Sequence, residues 1–213
     1  MTPVKRHTRR RILQRAASAV AGFTGAPYFV SPSALGKAGA VAPSNRITLG
    51  LVGCGDHGTG WNLSQIFRNA DSQVIAVCDV DGHYRDRLGR DAYRACGRYE
   101  DFRELLRRRD IDALVNCTPD HWHVIPAIMA ARSGKDVICE KPLTLTVAEG
   151  RVLCDVIKQT GRIFQTASEN RSIDTYIRMC ELVRNGRIGE LKHIHVSLPG
   201  GNESRGANFQ DRM

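Results

Sequence analysis

The chain has 213 residues, is 42% hydrophobic and 25% charged, and carries a formal net charge of +9. Residues 1–42 hold Lys5, Arg6, Arg9, Arg10, Arg11, Arg15 and Lys37 with no acid, which accounts for 7 of that excess and leaves the rest of the chain nearly neutral. With the charge confined there, the body has no basic footprint for a nucleic acid, and no nucleic-acid partner is expected.

The first 42 residues read as an address. A basic stretch, KRHTRRR, precedes the weakly apolar AASAVAGFTGAPYFV, and the small residues Ala38, Ala40 and Ala42 follow at signal-peptidase spacing. Thr8-Arg9-Arg10-Arg11-Ile12-Leu13 resembles the twin-arginine export signal of bacteria. That route carries folded proteins, so a periplasmic or other extracytoplasmic location is expected, reached after folding in the reducing cytoplasm. A disordered basic tail or an organellar transit peptide remains the alternative. Gly22, Gly25 and Pro27 break the apolar run, and no stable membrane span is expected once the signal is removed.

From about residue 45 the pattern alternates. Apolar runs at 47–52, 73–78, 112–117, 136–139 and 162–166 read as buried parallel strands. Helical stretches at 59–69, 82–95, 102–108, 124–133 and 147–160 separate them. This order predicts an α/β fold, a doubly wound parallel sheet spanning 43–190. Gly134 and Gly161 read as helix C-terminal glycines. Thr146 with Glu149 reads as a capping box. One more helix is expected over 173–185, then a strand over 192–198 that opens a second α+β domain truncated after it. The polar, glycine-rich residues after Pro199 read as a loop or disordered end.

Seven cysteines occur, none in a C-x-x-C pair, so they read as small buried hydrophobes. His193 and His195 share one face of the last predicted strand. Without a third ligand they read as surface residues, and no metal is expected.

The glycines of Gly53-Cys54-Gly55-Asp56-His57-Gly58 follow the first strand and open a helix, as a dinucleotide-binding loop requires. Gly53 permits the tight turn, Gly55 a close approach to pyrophosphate, and Gly58 close packing of helix on strand. The helix N-terminus offers free N–H groups to the phosphates. Asp79 ends the second strand 21 residues past Gly58, near the expected spacing of about 20. A carboxylate there accepts from ribose hydroxyls and repels a 2′-phosphate, which favours NAD over NADP.

Two further motifs end later strands. One is Thr118-Pro119-Asp120-His121-Trp122-His123 and the other Glu140-Lys141-Pro142. The set GCGDHG, VCDVD, TPDHWH, GKDVICEKPLT and QTASENRS, from about Arg46 to Leu198, resembles the Gfo/Idh/MocA family of NAD(P)-dependent oxidoreductases. The resemblance implies a small sugar-like substrate with a hydroxyl to oxidise. It makes Lys141 the catalytic candidate beside the nicotinamide, with a cis Lys141–Pro142 bond. Asp56, His57, Thr118, Pro119, His123 and Glu140 join the glycines, Asp79 and Lys141 as cofactor-site candidates, and Asn170 and Arg171 as substrate-site candidates. Taken alone, the EKP residues can equally be a strand exit with a surface ion pair, and His121 and Trp122 can simply cap and pack the next helix.

The family's second domain normally supplies the main acid/base histidine and the oligomer interface. A homo-oligomer is therefore expected only with that domain present. The sequence leaves three functions open: a CH–OH oxidoreductase, glycoside cleavage through transient oxidation, and nucleotide binding without turnover.

Overall fold

The computed structural model describes residues 32, 35–37, 41–86 and 96–197. Most of the expected export signal over residues 1–42, residues 87–95 of the expected 82–95 helix, and the end after residue 197 lie outside the described residues.

In chain order the elements are β1 (Ile47–Val52), a π-helical turn (His57–Asn62) running into α1 (Leu63–Ile66), β2 (Ser72–Cys78), α2 (Gly82–Asp86), β3 (Gly97–Tyr99) and α3 (Phe102–Leu106). Then follow β4 (Ala113–Asn116), a 3-10 turn (Asp120–Trp122), α4 (Val124–Arg132), β5 (Asp136–Glu140), α5 (Val147–Thr160) and β6 (Phe164–Ala167). A 3-10 turn (Glu169–Ser172) and α6 (Asp174–Arg184) complete them.

The strands form one six-stranded sheet in the order β3-β2-β1-β4-β5-β6. β1 pairs in parallel with both β2 and β4, β2 with β3, and β4 with β5. The chain runs outward one way from β1, then crosses back to β4, so the order reverses between β1 and β4. In open parallel sheets ligands bind beyond the strand ends at that reversal.

Side chains alternate between the two faces of the sheet, and because both faces of the central strands are covered these strands are mostly apolar. Leu49 and Leu51 pack on one face with Leu63 of α1, Val74, Val77 and Val115. Val52 and Leu114 pack on the other with Leu105 of α3, Ala127 and Ala130 of α4 and Leu153 of α5. The expected capping box is present: Glu149 N donates to Thr146 Oγ1, and Thr146 N donates to Glu149 Oε2. Gly134 and Gly161 both adopt positive φ at helix ends, as expected.

The chain divides into two compact units, Met1–Thr166 and Ala167–Met213. In the second, α6 buries none of its residues, and Tyr176, Met179, Ile194 and Val196 are exposed. Of the strand expected over 192–198, residues 192–197 carry no regular structure, and residue 198 lies outside the described residues. Alternating polarity alone does not make a strand, because its N–H and C=O groups need a neighbouring strand. His195 Nε2 lies instead 2.9 Å from Ser197 Oγ. β3, three residues at the sheet edge, was not anticipated.

Candidate functional site

The predicted cofactor residues of the first unit converge beyond the carboxyl ends of β1, β2, β4 and β5. Main-chain bonds continue past the strands and fix the loops that follow them. Gly53 N donates to Cys78 O at 2.9 Å, Cys117 N to Val52 O at 2.7 Å and Asp79 N to Tyr99 O at 3.2 Å.

The three glycines have distinct local reasons. Gly53 has φ +92, and a Cβ there would lie 2.3 Å from Cys117 O. At Gly58 a Cβ would lie 2.4 Å from Gly53 O. Both positions are closed by main chain, so only glycine fits. Gly55 differs: a Cβ there meets nothing within 4 Å. The glycine surface at Gly55 faces open space, which is what a diphosphate approaching the main chain requires.

Asp79 is held in place by backbone donors. Its Oδ2 accepts from Cys54 N at 2.7 Å and its Oδ1 from Asp81 N at 2.9 Å. The carboxylate thus braces the glycine loop, and each oxygen retains a lone pair for a further donor such as a ribose hydroxyl.

A cleft of about 850 Å³ opens beside it, lined by Gly53, Asp79, Thr118, Pro119, Phe102 and Trp122 among others. The Phe102 and Trp122 rings meet edge to face at 6.3 Å between centroids. Its size, its two aromatic rings and the Asp79 carboxylate fixed at its side suit a nucleoside.

On the other flank of β1, Glu140 ends β5 and is 5% exposed. Its Oε1 accepts from Asn62 Nδ2 at 2.7 Å and lies 3.0 Å from His57 Nε2, while its Oε2 accepts from Lys141 N at 3.1 Å. Glu140 therefore ties the glycine-loop helix to the strand end that presents Lys141. Lys141 itself is exposed, and its bond to Pro142 is cis, as the resemblance implied.

His123 is 1% exposed and turned inward. Its Nε2 lies 2.8 Å from Thr118 O and its Nδ1 2.5 Å from Pro142 O. It reaches the site through the two loops that it joins. Asn116 underlies them: Nδ2 donates to His123 O at 2.7 Å, and Oδ1 accepts from Thr118 Oγ1 at 2.8 Å. Asn116 and Asn62 escaped the sequence reading. A buried Asn closing the apolar run ALVN was the available signal for the first.

Four thiols lie at or just past the carboxyl ends of the central strands, Cys78 and Cys139 packed on one face of the sheet and Cys54 and Cys117 on the other. Burial, with the nearby Asp79 charge, pushes Cys54 and Cys78 up to about 12. Burial and Glu140 push Cys139 up to about 12 and raise Cys117 as well. All four thiols are neutral at physiological pH.

Asp56 and His57 are exposed at the start of the helical turn. Asn170 and Arg171 fall in the second unit, exposed on its 3-10 turn.

Residues 47–168 match the family described as oxidoreductase family, NAD-binding Rossmann fold. The chain belongs to the Gfo/Idh/MocA family.

Among its relatives, an uncharacterized oxidoreductase of Rhizobium meliloti is 38% identical over 124 residues, 57% of this chain and 36% of that protein. An α-N-acetylgalactosaminidase of Shewanella oneidensis is 28% identical over 204 residues, 87% of this chain and 44% of that one. Among solved structures, scyllo-inositol dehydrogenase from Lactobacillus casei, with bound NAD(H) and scyllo-inositol, is 27% identical with TM-score 0.61, covering 68% of this chain and 43% of that one. A 3-ketoreductase from Actinomadura kijaniata in complex with NADP is 25% identical with TM-score 0.63, covering 70% and 46%. The Gfo/Idh/MocA chain described here thus spans less than half the length of these proteins, and it carries the family's NAD-binding Rossmann fold. Among the described residues no helix is long and apolar enough to cross a membrane.

Proposed function

We propose that this chain is the cofactor-binding portion of an NAD-dependent oxidoreductase acting on a hydroxyl of a sugar, polyol or glycoside. The observation that carries the reading is the placement of Lys141, exposed just beyond β5, with its amide nitrogen held by Glu140 and Glu140 held in turn by the glycine-loop helix. The group that accepts hydride is the nicotinamide of the bound cofactor. The residues of the chain position it and manage the proton. The main chain around Gly55 receives the diphosphate, Asp79 the adenosine ribose, and the cleft beside Thr118 and Pro119 the adenine. Lys141 Nζ hydrogen-bonds the substrate hydroxyl and eases the loss of its proton. Asn170 and Arg171 remain the substrate-binding proposal.

NAD is preferred over NADP in this reading because Asp79 repels a 2′-phosphate. Export by a twin-arginine route, supported by residues 8–13, completes the proposal.

A second reading, glycoside cleavage through transient oxidation of the sugar, is favoured by the similarity to the Shewanella oneidensis α-N-acetylgalactosaminidase along 87% of this chain.

The test is calorimetric titration of the full chain, kept reduced, with NAD and NADP in parallel, followed by assays for NADH formation with inositols and sugars and for release of sugar from aryl glycosides. Tighter binding of NAD supports the cofactor reading. NADH formation that Lys141→Ala abolishes, with NAD affinity within a few-fold of wild type, supports the oxidoreductase. Sugar release without net NADH supports the second reading. NAD binding with neither activity leaves a nucleotide-binding protein, and binding of neither dinucleotide overturns the proposal.

A further inference from the structure

The Gfo/Idh/MocA relatives include one solved with NAD(H) and one with NADP. The fold alone therefore does not choose between the two, and the choice rests on side chains around the end of β2. The cleft there is lined by four carboxylates, Asp79, Glu100, Asp101 and Glu104, against one guanidinium, that of Arg103. Arg103 is engaged already: its Nη1 donates to Asp101 Oδ1 at 3.2 Å, and its guanidinium lies 4.8 Å over the Phe102 ring.

A second arginine sits behind this wall. Arg85 Nη1 donates to the main-chain oxygen of Asp79 at 3.4 Å and lies 3.7 Å from Glu100 Oε2. Its Nε donates to Asp86 Oδ1 at 3.4 Å. Gly82 leaves it room, since a Cβ there would stand 3.3 Å from Arg85 Nη2. The Arg85 side chain is only 20% exposed, whereas Glu100 is 76% exposed. The cation is packed beside Asp79, and the acid that faces it across the β3 end is at the surface.

We infer that Glu100 is a specificity-determining residue for the dinucleotide: it adds negative charge where a 2′-phosphate would approach Asp79, and it holds the guanidinium of Arg85 that would otherwise receive that phosphate. An arginine near this corner is the usual host of a 2′-phosphate, because a planar fork of donors matches phosphate oxygens. Here the fork is committed to Glu100, Asp86 and a carbonyl. Discrimination against NADP is thus shared between Asp79, which takes the ribose hydroxyls, and Glu100, which keeps Arg85 occupied. The inference rests on the NAD reading given above.

The experiment measures the ratio of NAD to NADP affinity, by calorimetry or by quenching of tryptophan fluorescence, for wild type, Glu100→Gln, Glu104→Gln, Arg85→Gln and Glu100→Gln with Arg85→Gln. Glu100→Gln is expected to narrow the ratio by about twofold to fivefold, the range for freeing a partly exposed charge pair. Glu104→Gln removes the same charge from the same cleft without touching Arg85 and is expected to narrow it less. Adding Arg85→Gln to Glu100→Gln is expected to cancel most of the gain, a coupling that a general charge effect would not produce. Equal effects of Glu100→Gln and Glu104→Gln, or a gain that survives loss of Arg85, would overturn the role of Glu100. Wild type binding neither dinucleotide would instead overturn the NAD reading, and this inference with it.

Discussion

His57 Nε2 and Glu140 Oε1 lie 3.0 Å apart across the gap between the glycine-loop helix and the end of β5. The carboxylate is buried and the imidazole side chain is 48% exposed, so one end of the pair is fixed and the other faces the site. Asn62 Nδ2 and Lys141 N donate to the same carboxylate. The loop proposed to receive the diphosphate and the residue proposed to receive the substrate hydroxyl are positioned by one side chain.

Glu140→Gln is expected to loosen both. A glutamine can place its oxygen toward Asn62 and His57 or toward Lys141 N, and its amide group then faces donors. The loss is expected at about 1–3 kcal/mol of stability, the range for a buried polar group left without a partner. Urea unfolding of the two proteins checks the first effect and NAD titration the second. A variant as stable as wild type, with equal NAD affinity, would show that the carboxylate ties nothing together.

The three glycines separate folding from binding. Gly58→Ala places a Cβ 2.4 Å from Gly53 O, against main chain that cannot give way, and is expected to destabilise the protein severely. Gly55→Ala meets nothing within 4 Å and is expected to leave the thermal midpoint nearly unchanged while weakening NAD binding by at least tenfold. Thermal unfolding and calorimetry on the same samples read the two effects. Undiminished NAD affinity in the folded Gly55→Ala protein would remove the diphosphate from this loop.

The glycine spacing was legible because it encodes main-chain geometry: Gly53 and Gly58 are where two stretches of backbone touch. The sheet was legible from apolar runs because its central strands are covered on both faces. β3 was not, since a strand of three residues has too little periodicity and owes its identity to pairing with β2. The segment at 192–198 shows the opposite failure, a sound alternation whose described residues, 192–197, pair with no strand among the described residues. His123 was legible as a motif residue but not as a buried one. The carbonyls of Thr118 and Pro142 meet around its ring only once β4 and β5 lie side by side.

The thiols carry a pH signature. Cys54, Cys78 and Cys139 ionise near 9.0 in an unfolded chain and are pushed up to about 12 in the fold. Their contribution to stability is complete below pH 9.0 and is lost as pH rises toward about 12, because the unfolded chain releases these protons first. Each thiol is expected to remove about 1.4 kcal/mol per pH unit within that window. Urea midpoints measured from pH 8 upward check it. At neutral pH the exposed Cys154 and Cys180 are expected to react with a thiol reagent well before the buried cysteines. Uniform reactivity of all the thiols in the folded protein would contradict their burial.

The two ring nitrogens of His123 face Thr118 O and Pro142 O from a fully buried position. The ring joins the loop after β4 to the loop after β5, and both loops border the proposed cofactor site. His123→Phe keeps an aromatic ring of similar size but donates nothing, so the carbonyls that faced the imidazole lose its donor. His123→Gln can still donate to one of them. Stability is expected to fall in the order wild type, Gln, Phe, with the Phe variant about 1–3 kcal/mol below wild type. A purely packing role for the imidazole predicts the reverse order of the two variants, because phenylalanine fills the space better than glutamine. Urea unfolding of the three proteins decides between the orders. NAD titration then tests whether the loosened loops cost affinity: a few-fold loss in the Phe variant, partly restored in Gln, is the result expected if the histidine holds Thr118 and the Lys141–Pro142 turn in their working positions.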